Sequence, residues 1–382
     1  MGRRRPGGLR GGADFAVIWM AIPAVAAGAY YLLVLLACAR WHRPASARTG
    51  AACPPVSILK PMHGRDPRFW EAIVAHASQD YPEFELLFGS NRADDPALAD
   101  VAVLQKKFPN LRIEAVVVPT TAPNAKVGVL IELANLARYP LLLVNDSDIM
   151  VEPGYLRAVT GPLADPDIGM STCLYRAAAS SPASAMEALG IATEFAPSVM
   201  VARLLGVAEF ALGSTMVFRA DDLRRIGGFA SIANFIADDY QLGLRIVQLG
   251  LRVEFAPQVV ETDLGAQDWG AMWRHQMRWL RTIRVSRPSG YYGYVVTHAT
   301  LWSLVALAAG YWHIALGTMA LRMAGGIWAG AGILRDRNVL RRCWWIPLRD
   351  LLGFAIWAGG LFGDTVQWRD QRLKLRPDGR IV

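Results

Sequence analysis

The sequence predicts an α/β domain built on a parallel, Rossmann-like sheet, with membrane-embedded helices at both ends. Three observations carry that expectation. Residues 56–144 alternate short apolar runs with helix-like amphipathic stretches, the βα rhythm of a parallel sheet. Residues 15–39 and 289–321 contain no Asp, Glu, Lys or Arg, and at about 1.5 Å rise per residue either run is long enough to cross a bilayer. The composition agrees, because 53% hydrophobic residues and 13 Trp against 19% charged residues is the balance of a membrane protein.

In chain order, a basic tail (1–14) precedes the first spanning helix (15–39). A cleaved signal peptide fits less well, since the apolar run exceeds the ~7–15 residues of a signal core, although Leu35-Leu36-Ala37-Cys38 looks like a lipidation box. Residues 40–53 read as a linker, and the α/β domain is expected over 54–268. Its first strand, 56–59, should end at Lys60-Pro61. Helices follow at 67–79, 97–108 and 127–137, with strands at 84–89, 113–118 and Leu141–Val144 between and after them. No Gly-x-Gly-x-x-Gly follows the first strand, which argues against an ordinary dinucleotide fold.

Residues 177–206 are helix-compatible and carry Glu187, Glu194 and Arg203 without a compact motif. A short strand is expected at 216–218, and then a two-turn helix opened by Asp221 and Asp222 and stopped at Gly227-Gly228. Asp238 and Asp239 open another helix, with Leu242, Leu244, Ile246 and Leu249 as its apolar face. Acidic residues there are favoured by the helix dipole alone. Residues 269–288 form an amphipathic stretch dense in Trp, Met and Arg, suited to a membrane surface. Membrane-embedded helices are expected over 289–363. Two spans should fill 289–334 around a break near 310–313, with Arg322 facing the bundle or snorkelling. The short, glycine-rich run 351–363 reads as re-entrant or interfacial, with a third span as the alternative, and a basic tail follows over 364–382.

The net charge of +8 comes from Arg clusters beside apolar runs, which favours anionic lipid headgroups over nucleic acid as the partner. Cys38, Cys53, Cys173 and Cys343 are far apart with no metal-like spacing, and read as free thiols in a reducing compartment.

The chemistry-bearing residues are acidic. Asp146 and Asp148 follow the wholly apolar strand Leu141–Val144, so they sit at a carboxyl edge where α/β sheets bind ligands. Two carboxylates one residue apart there offer hard oxygens to Mg2+ or Mn2+, whereas an isolated Asp-x-Asp is more readily an Asx turn. Asp94 and Asp95 follow another strand, Asp239 opens a helix, and His275-Gln276-Met277-Arg278-Trp279 lies in the amphipathic stretch.

In this order, between one amino-terminal and several carboxyl-terminal apolar segments, these sites resemble glycosyltransferase family 21. These are membrane-bound inverting enzymes with the GT-A (nucleotide-diphospho-sugar transferase) fold, among them ceramide glucosyltransferases and bacterial hopanoid (bacteriohopanetetrol) N-acetylglucosaminyltransferases. The resemblance rests on Val56-Ser-Ile-Leu-Lys-Pro-Met-His-Gly64, Gln79-Asp-Tyr-Pro82, Asp94-Asp-Pro-Ala97, Pro123-Asn-Ala-Lys-Val127, Asp146-Ser-Asp148, Ile236-Ala-Asp-Asp-Tyr240 and Arg278-Trp279. Arg281-Thr-Ile-Arg284 and Ser286-Arg-Pro288 look more like the hopanoid-type members.

The resemblance implies a UDP-sugar donor, a membrane lipid acceptor within the bilayer, and Mg2+ or Mn2+ held by Asp148 with Asp146 assisting or holding the ribose. Lys126 would add charge at the diphosphate, or else is a solvated helix-start lysine. Asp94 would help hold the uridine, with Asp95 the alternative one residue on. Lys60, Pro61 and His63 would line the nucleotide pocket, His63 being as readily a turn residue. Asp239 matches the catalytic base, with Asp238 as fallback. Arg278 would contact the diphosphate, and Trp279 would stack at the acceptor or anchor the interface. His275 departs from the family's Gln or Arg at that position. The implied activity moves one N-acetylglucosamine or glucose to a hydroxyl of a hopanoid, or of ceramide. A processive polysaccharide synthase and a non-catalytic sugar-nucleotide or lipid-binding protein are the competing readings. The implied location is the bacterial inner membrane, with the catalytic domain and the basic tail both cytoplasmic.

Overall fold

A computed structural model describes the backbone of residues 11–41, 53–369 and 371–382, and the side chains from residue 19 onward. Most of the expected basic tail and linker therefore lies outside the described residues. Seven strands form the central sheet: β1 (Val56–Met62), β2 (Phe84–Ser90), β3 (Ile113–Val117), β4 (Leu141–Val144), β5 (Ile168–Ala178), β6 (Met216–Arg219) and β7 (Arg252–Asp263). Their order is β3-β2-β1-β4-β6-β5-β7.

The first four strands are mutually parallel, as the βα alternation predicts. β6 runs antiparallel to both β4 and β5, so the sheet is mixed. All four residues of β4 are buried, which is what an apolar run covered on both faces requires. The strand order reverses between β1 and β4, and the crevice at that switch point opens at their carboxyl ends. β1 does not stop at Lys60-Pro61 but continues to Met62. Pairing with β4 ends at Leu59, so Pro61 sits where β1 pairs with β2 alone, and its missing N–H is tolerated at such an edge.

Among the described residues, three helical stretches are long and apolar enough to cross a membrane: Trp19–Arg40, Pro182–Leu204 and Trp312–Ile333. The second was not expected as a span. Of its most apolar window 83% is buried within the protein, against 44% and 39% for the others, so it packs inward. The pair of spans expected over 289–334 is instead one long helix and one short one. A short helix at Pro288–Gly293 and a 3-10 turn at Tyr294–Thr297 use up the start of the run, which leaves ten helical residues in Ala299–Ala308, about 15 Å. The break falls at Gly310, whose φ of 87° is open to glycine.

The helix Ile346–Gly360 has 15 residues, too few for a ~30 Å hydrocarbon core. After it the chain returns to the sheet domain through the hairpin of β8 (Thr365–Trp368) and β9 (Gln371–Lys374). Ile236 N donates to Gly379 O at 3.1 Å and Ile381 N to Asn234 O at 2.8 Å. The tail therefore lies on the same side as the sheet. No disulfide forms among the four cysteines.

Arg322 faces the bundle. It is fully buried, and its Nε and Nη2 donate to the Asp350 carboxylate at 2.7–3.0 Å, while Nη1 donates to Thr193 O at 3.0 Å. Thr300 Oγ1 donates to the same carboxylate at 2.7 Å, and the Tyr31 ring lies 5.0 Å from the guanidinium. Arg322→Ala, which leaves Asp350 buried without its cation, is expected to destabilise the protein by about 3–5 kcal/mol. The double variant Arg322→Leu/Asp350→Leu should recover most of that loss. Thermal melts of the two variants in the same detergent measure both effects.

Candidate active site

Asn124 is the residue from which the site is assembled. It caps the helix Ala125–Leu136 by accepting from Val127 N, and its Nδ2 donates to Phe235 O at 2.8 Å. A single buried side chain thus starts one helix and pins the loop before another, Asp238–Gln248. The result is that Lys126, in the first turn of the capped helix, stands between two carboxylates. Its Nζ is 2.9 Å from Asp146 Oδ1 and 3.2 Å from Asp238 Oδ2. Burial would lower the Lys126 pKa, but Asp146 and Asp238 outweigh it and raise it well above the ordinary lysine value. Lys126 is thus no solvated surface lysine.

Asp239 lies beside that pair. Its Oδ2 accepts from Gly213 N at 3.1 Å and its Oδ1 from Tyr240 N at 2.7 Å. A Cβ on Gly213 would stand 3.4 Å from Asp239 Oδ2 and 3.9 Å from Asp146 Oδ2, so this glycine lies between the two acids. Burial, then repulsion from Asp238, pushes the Asp239 carboxyl up to about 6, with Lys126 opposing the shift. Asp148 is likewise pushed up to about 6 by burial and by Asp146, although Thr262 donates a hydrogen bond to it. Ser147 donates to Asp66 at 2.6 Å, and Asp66 is held by Arg369 of the carboxyl-terminal hairpin at 2.8 Å.

These groups line one cavity of about 1450 Å³. Pro61, His63, Lys126, Asp146, Asp148, Asp238, Asp239, Arg278 and Trp279 are all in its wall. Arg278, over the Trp368 ring at 5.8 Å, is within electrostatic reach of Asp146 and Asp239. Trp279 packs on His275 and Phe195, with ring centres at 4.9 and 5.9 Å, and so points inward. Trp269 and Trp273, on the same helix, are the exposed ones suited to anchoring.

Three expected site residues do not line the cavity. Asp94 is exposed and ion-paired with Arg92 at 2.9 Å. Asp95 is buried, but Ser90 Oγ, Gly64 N and Ala97 N all donate to it. Burial opposes its ionisation, yet those bonds hold its carboxyl below the usual value, so it orders the loop that carries His63. Asn91 and Arg92 occupy that part of the wall instead. Lys60 lies beneath the site, where its Nζ donates to Asn145 Oδ1 at 2.8 Å and Asp146 O at 3.1 Å. Burial lowers its pKa to about 7, against the pull of Asp148 and Asp146.

Other residues in this site were not singled out from the sequence. Asn124 left a signal, an Asn shortly before the helical run expected at 127–137, which the structure starts earlier, at Ala125. Glu187 left none. It is fully buried, accepting from His275 Nδ1 at 2.5 Å and Gln276 Nε2 at 3.0 Å, 88 and 89 residues away along the chain. His275 and Gln276 thus converge on one carboxylate.

The family model for Glycosyl transferase family 21 matches residues 17–381. The chain belongs to glycosyl transferase family 21. Among relatives, it is 29% identical over 204 residues to ceramide glucosyltransferase 1 of Caenorhabditis elegans, covering 52% of this chain and 43% of that one. It is 25% identical over 228 residues to ceramide glucosyltransferase 3 of the same organism, covering 58% and 48%. The match thus spans about half the length of these curated relatives. Among solved structures, a mannosyltransferase from Pyrobaculum calidifontis, in complex with GDP-Man and Mn2+, superposes with a TM-score of 0.54 at 18% identity. It covers 90% of this chain and 99% of that one, and shows that this family 21 chain has the GT-A fold.

The raised Asp239 pKa has a consequence for stability. Its folded value exceeds the ordinary 3.8, so its contribution is fully present below about pH 4 and is lost as pH rises through about 6. Asp239→Asn should therefore be more stable than the parent at pH 7.5, by about 3 kcal/mol, with the gap falling to about half at pH 5 and closing only near pH 4. Melting curves across that pH range test it.

Proposed function

We propose that the protein is a membrane-bound inverting glycosyltransferase that moves one sugar from a UDP-sugar to a hydroxyl of a membrane lipid, most specifically a hopanoid. One observation carries this reading: a single cavity joins the carboxylates at the sheet edge to an apolar wall built by Leu33 of the amino-terminal helix, Val199, Leu205, Ile283 and Ile356. A water-soluble donor and an apolar acceptor can meet in such a space. The curated relatives matched are named ceramide glucosyltransferases, which favours ceramide as the second reading of the acceptor.

In this reading the nucleotide lies over the carboxyl ends of β1 and β2, against Pro61, His63, Asn91 and Arg92. Asp239 takes the proton of the acceptor hydroxyl as its oxygen attacks opposite the leaving diphosphate. Gly213 N fixes that carboxylate, and Asp238 is occupied by Lys126, which favours Asp239 over its neighbour as the base. Lys126 and Arg278 supply positive charge at the diphosphate.

Among the described residues, no three His, Cys, Asp or Glu side chains are grouped to hold a metal by themselves. Asp146, with 48% of its side chain exposed, and Asp148 still fit Mg2+ or Mn2+, because such a cation needs only one or two carboxylates when a diphosphate completes its shell. When bound, it would supply positive charge to the leaving group. The match to a structure in complex with Mn2+ supports that assignment.

The test is to incubate membranes containing the protein with labelled UDP-N-acetylglucosamine or UDP-glucose and to analyse extracted lipids by mass spectrometry. A labelled lipid is expected. A soluble labelled polymer with no labelled lipid would instead identify a polysaccharide synthase. Asp239→Asn should lose about a thousandfold in rate. Because the base works as the carboxylate, activity of the parent should fall about tenfold per pH unit below about 6.

We also place the sheet domain on the cytoplasmic face of the bacterial inner membrane, where nucleotide sugars are made. The docking of the tail on the sheet supports a carboxyl terminus on that same face. A reporter fused after Val382 should score cytoplasmic, and a periplasmic score would overturn the orientation.

A further inference from the structure

The membrane end of the cavity holds a polar cluster that the proposed chemistry does not use. Glu194 lies in the π-turn Ile191–Phe195 and Arg349 on the helix Ile346–Gly360, each only 5% exposed, and both line the cavity together with Tyr30. Arg349 Nη2 is 3.0 Å from Glu194 Oε2 and donates to Gln276 Oε1 at 3.0 Å. Arg349 Nε and Nη1 and the Tyr30 hydroxyl have no hydrogen-bond partner among the described residues. About nine in ten buried polar atoms are paired, so unpaired ones on residues that line one cavity point to a missing ligand reached by a small side-chain adjustment.

The backbone makes room for this cluster. A Cβ on Gly190 would clash with the Arg349 guanidinium, and one on Gly353 would stand 3.1 Å from Glu194 Oε1 and 3.3 Å from Arg349 Nη1. The π-turn adds a residue to the helical turn that presents Glu194, a distortion common at functional sites.

The chemistry of the cluster limits the ligand. Arg349 and Glu194 cancel each other's charge, so the site has no call for an anionic headgroup. Arg349 offers donors, Glu194 an acceptor, and Tyr30 either. We infer that this cluster binds a second, uncharged polar group of the acceptor lipid, an amide or a further hydroxyl, set apart from the hydroxyl that receives the sugar. The inference rests on the lipid-acceptor reading. Gln276, two residues before Arg278 on the same helix, ties the cluster to the diphosphate end.

Tyr30→Phe is the informative variant, because the hydroxyl it removes makes no hydrogen bond within the protein. The full-length protein in nanodiscs would be assayed with three acceptors of equal chain length: a simple alkan-1-ol, a 1,2-diol and an N-acyl amino alcohol. The parent should show a KM about tenfold lower for at least one of the two bifunctional lipids than for the simple alcohol. Whichever one it is identifies the group bound. Tyr30→Phe should raise that KM about five- to tenfold, leave the KM values for the alcohol and the UDP-sugar unchanged, and melt no lower than the parent. Equal KM values for all three lipids in the parent would overturn the inference, as would a selectivity unaltered in Tyr30→Phe or lost alongside a lowered melting point. Transfer to none of the lipids would overturn the acceptor reading itself, and this inference with it.

Discussion

Lys126 stands between carboxylates that reach it from opposite halves of the chain, Asp146 after β4 and Asp238 at a helix start ninety-two positions later. Without a cation there, Asp146, Asp148, Asp238 and Asp239 would share one cavity with mostly like charge, and burial would push them toward the neutral form. A neutral carboxyl neither holds a divalent cation nor accepts a proton. The position of Lys126 is in turn set by the Asn124 cap, which bonds the 233–235 loop as well as its own helix. The acidic site therefore depends on a helix cap and one ammonium group.

A second compensated pair does the corresponding work in the apolar half. Arg322 and Asp350 bring the helix Trp312–Ile327 against Ile346–Gly360, and Thr193 draws in the inward-packed helix as well. Three apolar helices thereby gain a directional contact that hydrophobic packing alone would not supply, since lipid is as apolar as leucine. The helix Trp269–Ser286 joins this half to the acidic one. One side presents His275, Arg278 and Trp279 to the cavity, while Trp269 and Trp273 stay exposed.

What could be read from the sequence follows from how local each signal is. Strand β4 and the acids after it were legible because four apolar residues and an abrupt polar stop lie within eight positions. The helix expected at 127–137 and an Arg322 that faces the bundle or snorkels rest on equally local or compositional arguments, whereas the Asn124 cap shows only in the folded chain. Asp94 and Asp95 show the limit. Both lie in the turn after β2, where no strand alternation sets their direction, and only the folded loop decides that Asp95 turns inward and Asp94 outward. The reversed β6 was likewise hidden, since direction is a property of the connection and not of the strand. Glu187 and Glu194 sat in an alanine-rich run with no spacing to single them out, because their partners lie on helices 80 or more residues away. The run that holds Ala299–Ala308 has the hydropathy of a span, but hydropathy counts residues and does not see the 3-10 turn that consumes the start of the run and leaves ten helical residues.

The two ends of the chain matter to the chemistry for a reason that neither end shows alone. The amino-terminal helix contributes Leu33 to the apolar wall, and the carboxyl-terminal hairpin contributes Gln367, Trp368 and Arg369 to the polar rim. Arg369 reaches back to Asp66 beside β1, with its backbone held at a φ of 53°, a conformation that costs energy for a residue with a Cβ. That cost is offset by a two-bond ion pair, through which Asp66 and then Ser147 tie the hairpin to the acidic loop. A glycosyl donor activated in open water is hydrolysed, so a transferase must cover its diphosphate while leaving a route for an apolar acceptor. In the proposed reaction the hairpin would supply the cover and the apolar helices the route, which gives segments more than 300 residues apart a reason to line the same cavity.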